Sequence, residues 1–101
     1  MSAGMYVLDG KTPVFEPDLY KWGEWFETAN RQVEVNIIDD VTLSTIFLGL
    51  DHSWSFGPPV LFETMIFGGP RDQETHRYCT WDEAEAGHKQ ILEELRANQE
   101  H

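Results

Sequence analysis

Apolar residues recur along this chain with two spacings, and the switches between them mark out the elements. Residues 32–38 alternate, with Val33, Val35 and Ile37 on one side and Gln32, Glu34 and Asn36 on the other, the period of a half-buried strand. Asp39-Asp40 reads as a turn, after which 41–50 (VTLSTIFLGL) resumes as a longer strand. Residues 60–67 (VLFETMIF) are apolar on both sides apart from Glu63 and Thr64, which predicts a central strand covered on both faces. Residues 75–79 fit a short fourth strand at an edge. Upstream, residues 5–15 read as a β-hairpin about Asp9-Gly10, a type I′ turn signal, with Pro13 placing its second arm at an edge.

Helical spacing occurs twice. Leu19, Trp22, Phe26 and Ala29 form a stripe behind Asp18, a preferred N-cap, with Trp25 beside the stripe and Asn30 as a left-handed stop. Gly23 inside this helix costs about 1 kcal/mol against Ala, so close packing over it is the expected reason for its presence. The last element has the clearest signature: Thr80-Trp81-Asp82-Glu83 is a capping box. Trp81, Ala84, His88, Ile91 and Leu95 follow as a seam, and Arg96 near the end complements the helix dipole. His88 in that seam is expected to be a hydrogen-bonded core residue. The order predicts an α+β fold in a single domain over residues 1–101. Its antiparallel sheet has three to five strands, an N-terminal hairpin and a central meander, with two helices packed on one face. Residues 1–4 and 98–101 are expected to fray.

Composition sharpens this picture. A chain of 101 residues, 41% hydrophobic and 13% aromatic, can bury a core of its own, which excludes disorder as its main state. The one cysteine, Cys79, excludes an internal disulfide and fits a reducing compartment. No run approaches the about 20 apolar residues a membrane helix needs, and Met1–Met5 carries no export signature, so the expected location is the cytoplasm. Seven Lys and Arg against 18 Asp and Glu give a net charge of −11, which disfavours direct binding to nucleic acid or to an anionic membrane. The charge is spread without an acidic tail. It reads either as a solubilising surface or as a face that docks on a partner's basic groove, including one that normally holds nucleic acid.

Candidate chemistry is sparse. The loop Asp51-His52-Ser53-Trp54-Ser55-Phe56-Gly57-Pro58-Pro59 is longer than a hairpin needs, and its Trp54 and Phe56 are either interface anchors or rings folded back over the sheet. Asp51 and His52 have the residue types of a carboxylate-oriented general base. Glu63, a carboxylate inside an apolar strand, is a structural ion-pair partner of Arg77 or Arg71, a solvent-facing group, or a ligand-binding or catalytic one. Cys79 lies before a helix N-terminus, where thiolates are favoured, but reads first as a small apolar residue. His52, His76, His88 and His101 fall in no HExxH pattern, so a zinc site would have to assemble across the fold from His52, His76 and a carboxylate. Gly68-Gly69-Pro70 matches no phosphate loop. No cofactor and no resident metal are therefore expected.

Three segments, Ser44–His52 (STIFLGLDH), Pro58–Gly69 (PPVLFETMIFGG) and Arg77–His88 (RYCTWDEAEAGH), resemble a set of small uncharacterised proteins of bacteriophages and prophage-bearing bacteria. The resemblance spans about residues 41–88 and implies a small acidic cytosolic protein of phage type; it transfers no catalytic residue. Three functions follow as expectations. The first is a non-enzymatic protein that binds and modulates a host protein, such as an inhibitor of an antiviral defence system, through Trp54, Phe56 and surface carboxylates. The second is a binder of a small nucleotide signal using Arg77, Glu63 and the aromatic loop. The third is a small metal-dependent hydrolase built on Asp51, His52 and Glu63. A homodimer through the loop or an edge strand is compatible with each.

Overall fold

The computed structural model describes residues 4–53 and 57–99 and is α+β. The elements are β1 (Tyr6–Asp9), β2 (Thr12–Phe15), α1 (Leu19–Thr28), β3 (Gln32–Ile38), β4 (Val41–Phe47), β5 (Phe62–Phe67), β6 (Thr75–Tyr78) and α2 (Trp81–Gln99). They build two antiparallel sheets, the hairpin β1-β2 and the meander β3-β4-β5-β6. The hairpin turn sits one residue later than Asp9-Gly10. Asp9 pairs with Thr12, so Gly10 (φ +64) and Lys11 are the central residues, and only the glycine has positive φ. That pattern belongs to a type II′ turn and not to I′.

Helix α2 packs on one face of the meander, where alternate residues Val41, Leu43, Thr45 and Phe47 of β4 and Phe62, Thr64 and Ile66 of β5 are buried against Ala84, His88, Ile91, Leu92 and Leu95. The capping box closes as expected: Thr80 Oγ1 accepts from the Glu83 amide (3.1 Å), and Glu83 Oε1 accepts from the Thr80 amide (3.1 Å). The helix continues to Gln99, into the stretch expected to fray. At the other end Gly4 is anchored, its carbonyl accepting from the Asp51 amide at 2.9 Å.

Helix α1 contributes less to the core than its stripe promised. Asp18 caps it, accepting from the Tyr20 amide (2.9 Å) and the Lys21 amide (3.2 Å), yet none of its residues is buried, and Leu19 and Tyr20 are exposed. It rests against β1 and reaches the core through Trp25, whose ring meets Phe47 edge-on at 5.8 Å. Trp22 Nε1 donates to the carbonyls of Tyr6 and Gly49, both at 3.1 Å. Gly49 (φ +80) ends the strand expected to run to residue 50, and a side chain there would press on Phe26. Asn30 is not left-handed. The helix stops at Ala29 in extended conformation, and Asn30 Oδ1 accepts from the Gln32 amide at 3.1 Å.

Gly23, expected under close packing, has open space around its Cα, and nothing in the structure requires a glycine there. The crowded helical glycine is Gly87, where a Cβ would overlap the Tyr78 ring. Opposite outcomes follow for one substitution. Gly23→Ala should raise the unfolding free energy by about 0.5–1 kcal/mol through helix propensity. Gly87→Ala should lower it by about 1–3 kcal/mol, because Tyr78 must leave its place against the Phe62 cluster. Urea unfolding of both variants checks this, and equal signs would contradict it.

Candidate interaction face

The strongest departure from the sequence pattern is in β3. Its pairing with β4 shifts register between Gln32 and Glu34, a bulge that places one extra residue on the β3 side. Gln32 Nε2 fills the irregularity, donating to the carbonyls of Glu34 (2.8 Å) and Thr45 (2.8 Å). Val33 therefore packs on the core, while Val35 and Ile37 turn outward, 49% and 75% exposed. The polar residues expected outside, Glu34 and Asn36, come to the helix side instead.

There they meet His88. The ring is fully buried; Nδ1 lies 2.7 Å from Thr45 Oγ1 and Nε2 2.7 Å from Asn36 Oδ1, with Glu34 Oε2 at 3.5 Å. The acceptors around Nε2 place its proton there, so Nδ1 accepts from the Thr45 hydroxyl, which in turn accepts from Thr64. Burial pushes the His88 pKa down, and the Glu34 carboxylate opposes that only in part. The network is a structural part of the core, as the helix seam suggested. Thr45, Thr64 and Asn36 were not foreseen, although hydroxyls at inward positions of two strands are a readable signal once the register is known.

The opposite face of the meander is covered by no helix or strand among the described residues. Its side chains form three rows across the sheet: Gln32–Ile46–Glu63–Arg77, Val35–Ser44–Met65–Thr75 and Ile37–Thr42–Phe67. Strand β5 is central as expected, but covered on one side only: Phe67 is 46% exposed. Five of these eleven residues are apolar, and the two charges cancel in one ion pair, Arg77 Nε to Glu63 Oε2 at 3.0 Å. The structural ion pair proposed for Glu63 is thus present, with Arg77 as its partner. Arg71 is committed elsewhere, to Glu74 (2.5 Å) and Glu94 (3.0 Å).

Asp51, His52, His76 and Cys79 do not join this face. Asp51 clasps its loop: Oδ1 accepts from the amides of Ser53 (2.8 Å) and Val60 (2.9 Å). Burial raises its pKa, but those bonds outweigh it and hold the carboxyl below its ordinary value. Exposed His52 contributes its amide to the same loop, bonded to the Val60 carbonyl at 2.9 Å. Trp54 and Phe56 lie outside the described residues. The Cys79 thiol is pushed up by burial, then by Glu83 and Asp51, the reverse of an activated thiolate. His76 pairs with Glu74 at 2.6 Å, and among the described residues no three His, Cys, Asp or Glu side chains are grouped to hold a metal ion. No helix among the described residues is long and apolar enough to cross a membrane. Comparisons of the chain with family models, curated proteins and solved structures give no match.

Proposed function

We propose that this chain is a non-enzymatic interaction protein that binds a host protein and modulates its activity, with inhibition of a bacterial antiviral system as the form its phage resemblance implies. The observation that carries the reading is the uncovered sheet face. Val35, Ile37 and Phe67 are exposed there, with half-buried Ile46 and Met65 on the same face, and grouped exposed apolar residues of this kind mark docking sites. The last row is bordered by the turns carrying Asp39, Asp40 and Asp72, on a chain of net charge −11. A fitting partner therefore has an apolar patch with a basic rim, and complementary potentials speed such encounters.

The alternatives have less support. A nucleotide binder would need Arg77, which is tied to Glu63. A hydrolase would need Asp51 and Glu63, which are engaged with backbone amides and Arg77 respectively. The test is quantitative capture from bacterial lysate with three baits: the wild type, Phe67→Glu on the face, and Glu93→Lys on α2. We expect Phe67→Glu to lose the protein that the other two retain while staying folded, its own stability lowered by about 1–2 kcal/mol because Phe67 is half buried. Equal capture by all three baits would reject the face as the binding surface.

A further inference from the structure

The uncovered face ends at β3, a seven-residue edge strand whose outer side pairs with no strand among the described residues. We infer that β3 pairs with β3 of a second copy of this chain, making one continuous eight-stranded sheet from two meanders; the inference rests on the face being the docking surface. The loop Asp39-Asp40 has two residues, so Ile38–Val41 is its closing hydrogen-bonded pair and the pairs alternate from there. The main-chain groups of Val35 and Ile37 consequently point away from β4, toward the free edge. Proline and lysine, two usual protections of such an edge, are absent from β3; its bulge and its inward-turned charge Glu34 lie toward the far end, and its outward side chains beyond them are Val35 and Ile37.

The strand is also complementary to itself. Antiparallel pairing about a two-fold axis at Asn36 sets Val35 against Ile37 of the second copy, and Ile37 against its Val35, each pair exchanging both main-chain bonds. Glu34 then lies opposite Ile38 of the second copy and not opposite another carboxylate. On the helix side, the groove between β3 and α2 is net acidic, with Glu34, Asp82, Glu85 and Glu93 against Lys89 and Arg96, so two copies approach against a repulsion that the two cations offset in part.

Area gives the dimer a reason to matter. Four strands of seven, seven, six and four residues, about 4.8 Å apart and rising about 3.3 Å per residue, make a face of about 400 Å², half of the roughly 800 Å² each partner gives to a standard interface. Two faces side by side reach that size, so the docking surface is complete only in the pair.

Sedimentation equilibrium decides this. The wild type should weigh twice the 11.7 kDa chain mass. Added salt should tighten the pair, because it screens repulsion between two chains of charge −11. Ile37→Lys, or Val35→Lys should the first variant fold poorly, should weaken dimerisation by about tenfold or more while the thermal melt keeps its cooperativity. Phe67→Glu, two strands from the edge, should remain dimeric while losing the captured partner. A monomeric wild type, or a lysine variant that still pairs, overturns the dimer and leaves the docking face standing. A Phe67→Glu variant that becomes monomeric would mean the copies meet face to face and overturns edge pairing.

Discussion

Truncating His88 to alanine is expected to lower the unfolding free energy by about 3–5 kcal/mol, the sum of a cavity and of polar groups left unpaired beneath α2. The side chain is fully buried and joins three strands: Asn36 of β3, Thr45 of β4 and, through Thr45, Thr64 of β5. Every buried polar side-chain atom among the described residues has a partner, so the deletion creates a defect where none exists. Replacing His88, Thr45 and Thr64 together by Leu, Val and Val should recover most of the loss, since the fully buried partners go at once and the Asn36 amide left behind is only half-buried and can turn to water. Denaturant unfolding of the single and triple variants measures both. A triple variant less stable than the single would refute this account.

The same residue sets a pH dependence with a definite sign. The unfolded histidine titrates near its ordinary 6.5, and burial keeps the native ring below that value. The unfolded state therefore binds the proton first. Stability is full above pH 6.5 and falls as the pH drops toward the lower native value. Glu74 acts in a lower window: bonded first by Arg71 and then by His76, its carboxyl is held at about 2 against an ordinary 4.5, so its contribution is complete above 4.5 and lost below. Between pH 7.5 and 5, the wild type should lose stability and the triple variant should lose much less. Parallel curves for the two would show that His88 is not the group responsible.

The second large effect belongs to Phe47→Ala, with an expected cost of about 3–5 kcal/mol. Phe47 is fully buried at the middle of an aromatic chain that runs from Trp25 on α1 (5.8 Å) through Phe62 (5.3 Å) to Trp81 on α2, which lies 6.1 Å from Phe62. Each such ring pair adds about 0.5–1.5 kcal/mol beyond area burial, and truncation removes both contacts of Phe47. Since α1 has no buried residue and reaches the core through Trp25, its amides should also exchange faster in the variant. A loss below about 1.5 kcal/mol would mean the neighbours collapse into the space. Protection of α1 equal to that of the wild type would mean the hairpin alone holds this helix.

Much of the fold was legible because it rests on local rules. The capping box at Thr80 and Glu83 needs only four consecutive residues, and the seam through His88 only helical spacing. Both stand in the structure. The meander keeps consecutive strands as neighbours, through a two-residue turn between β3 and β4 and even across the fourteen residues between Phe47 and Phe62. The errors occur where a local signal was overruled by packing. Asp9-Gly10 is a turn signal, yet the pairing of Asp9 with Thr12 moved the turn by one residue. Gly23 looked like a packing glycine, whereas Gly87, under the Tyr78 ring, is the one. Of the site candidates, Glu63 and Arg77 do pair, because a carboxylate among apolar neighbours needs a cation. Asp51 and His52 are adjacent in sequence but serve the loop.

By itself, then, the sequence determined the element order, the helix boundary at Thr80 and the α+β class, all set by interactions within a few residues. Which face of the sheet is open was decided only in three dimensions. The alternation of Val33, Val35 and Ile37 announces a single apolar side, but the bulge after Gln32 divides it, sending Val33 to the core and the other two outward. A strand's side-chain period is two, so one inserted residue exchanges the faces of everything beyond it. Whether a residue is inserted depends on the partner strand and on Gln32 reaching across to the Thr45 carbonyl, a contact thirteen residues away.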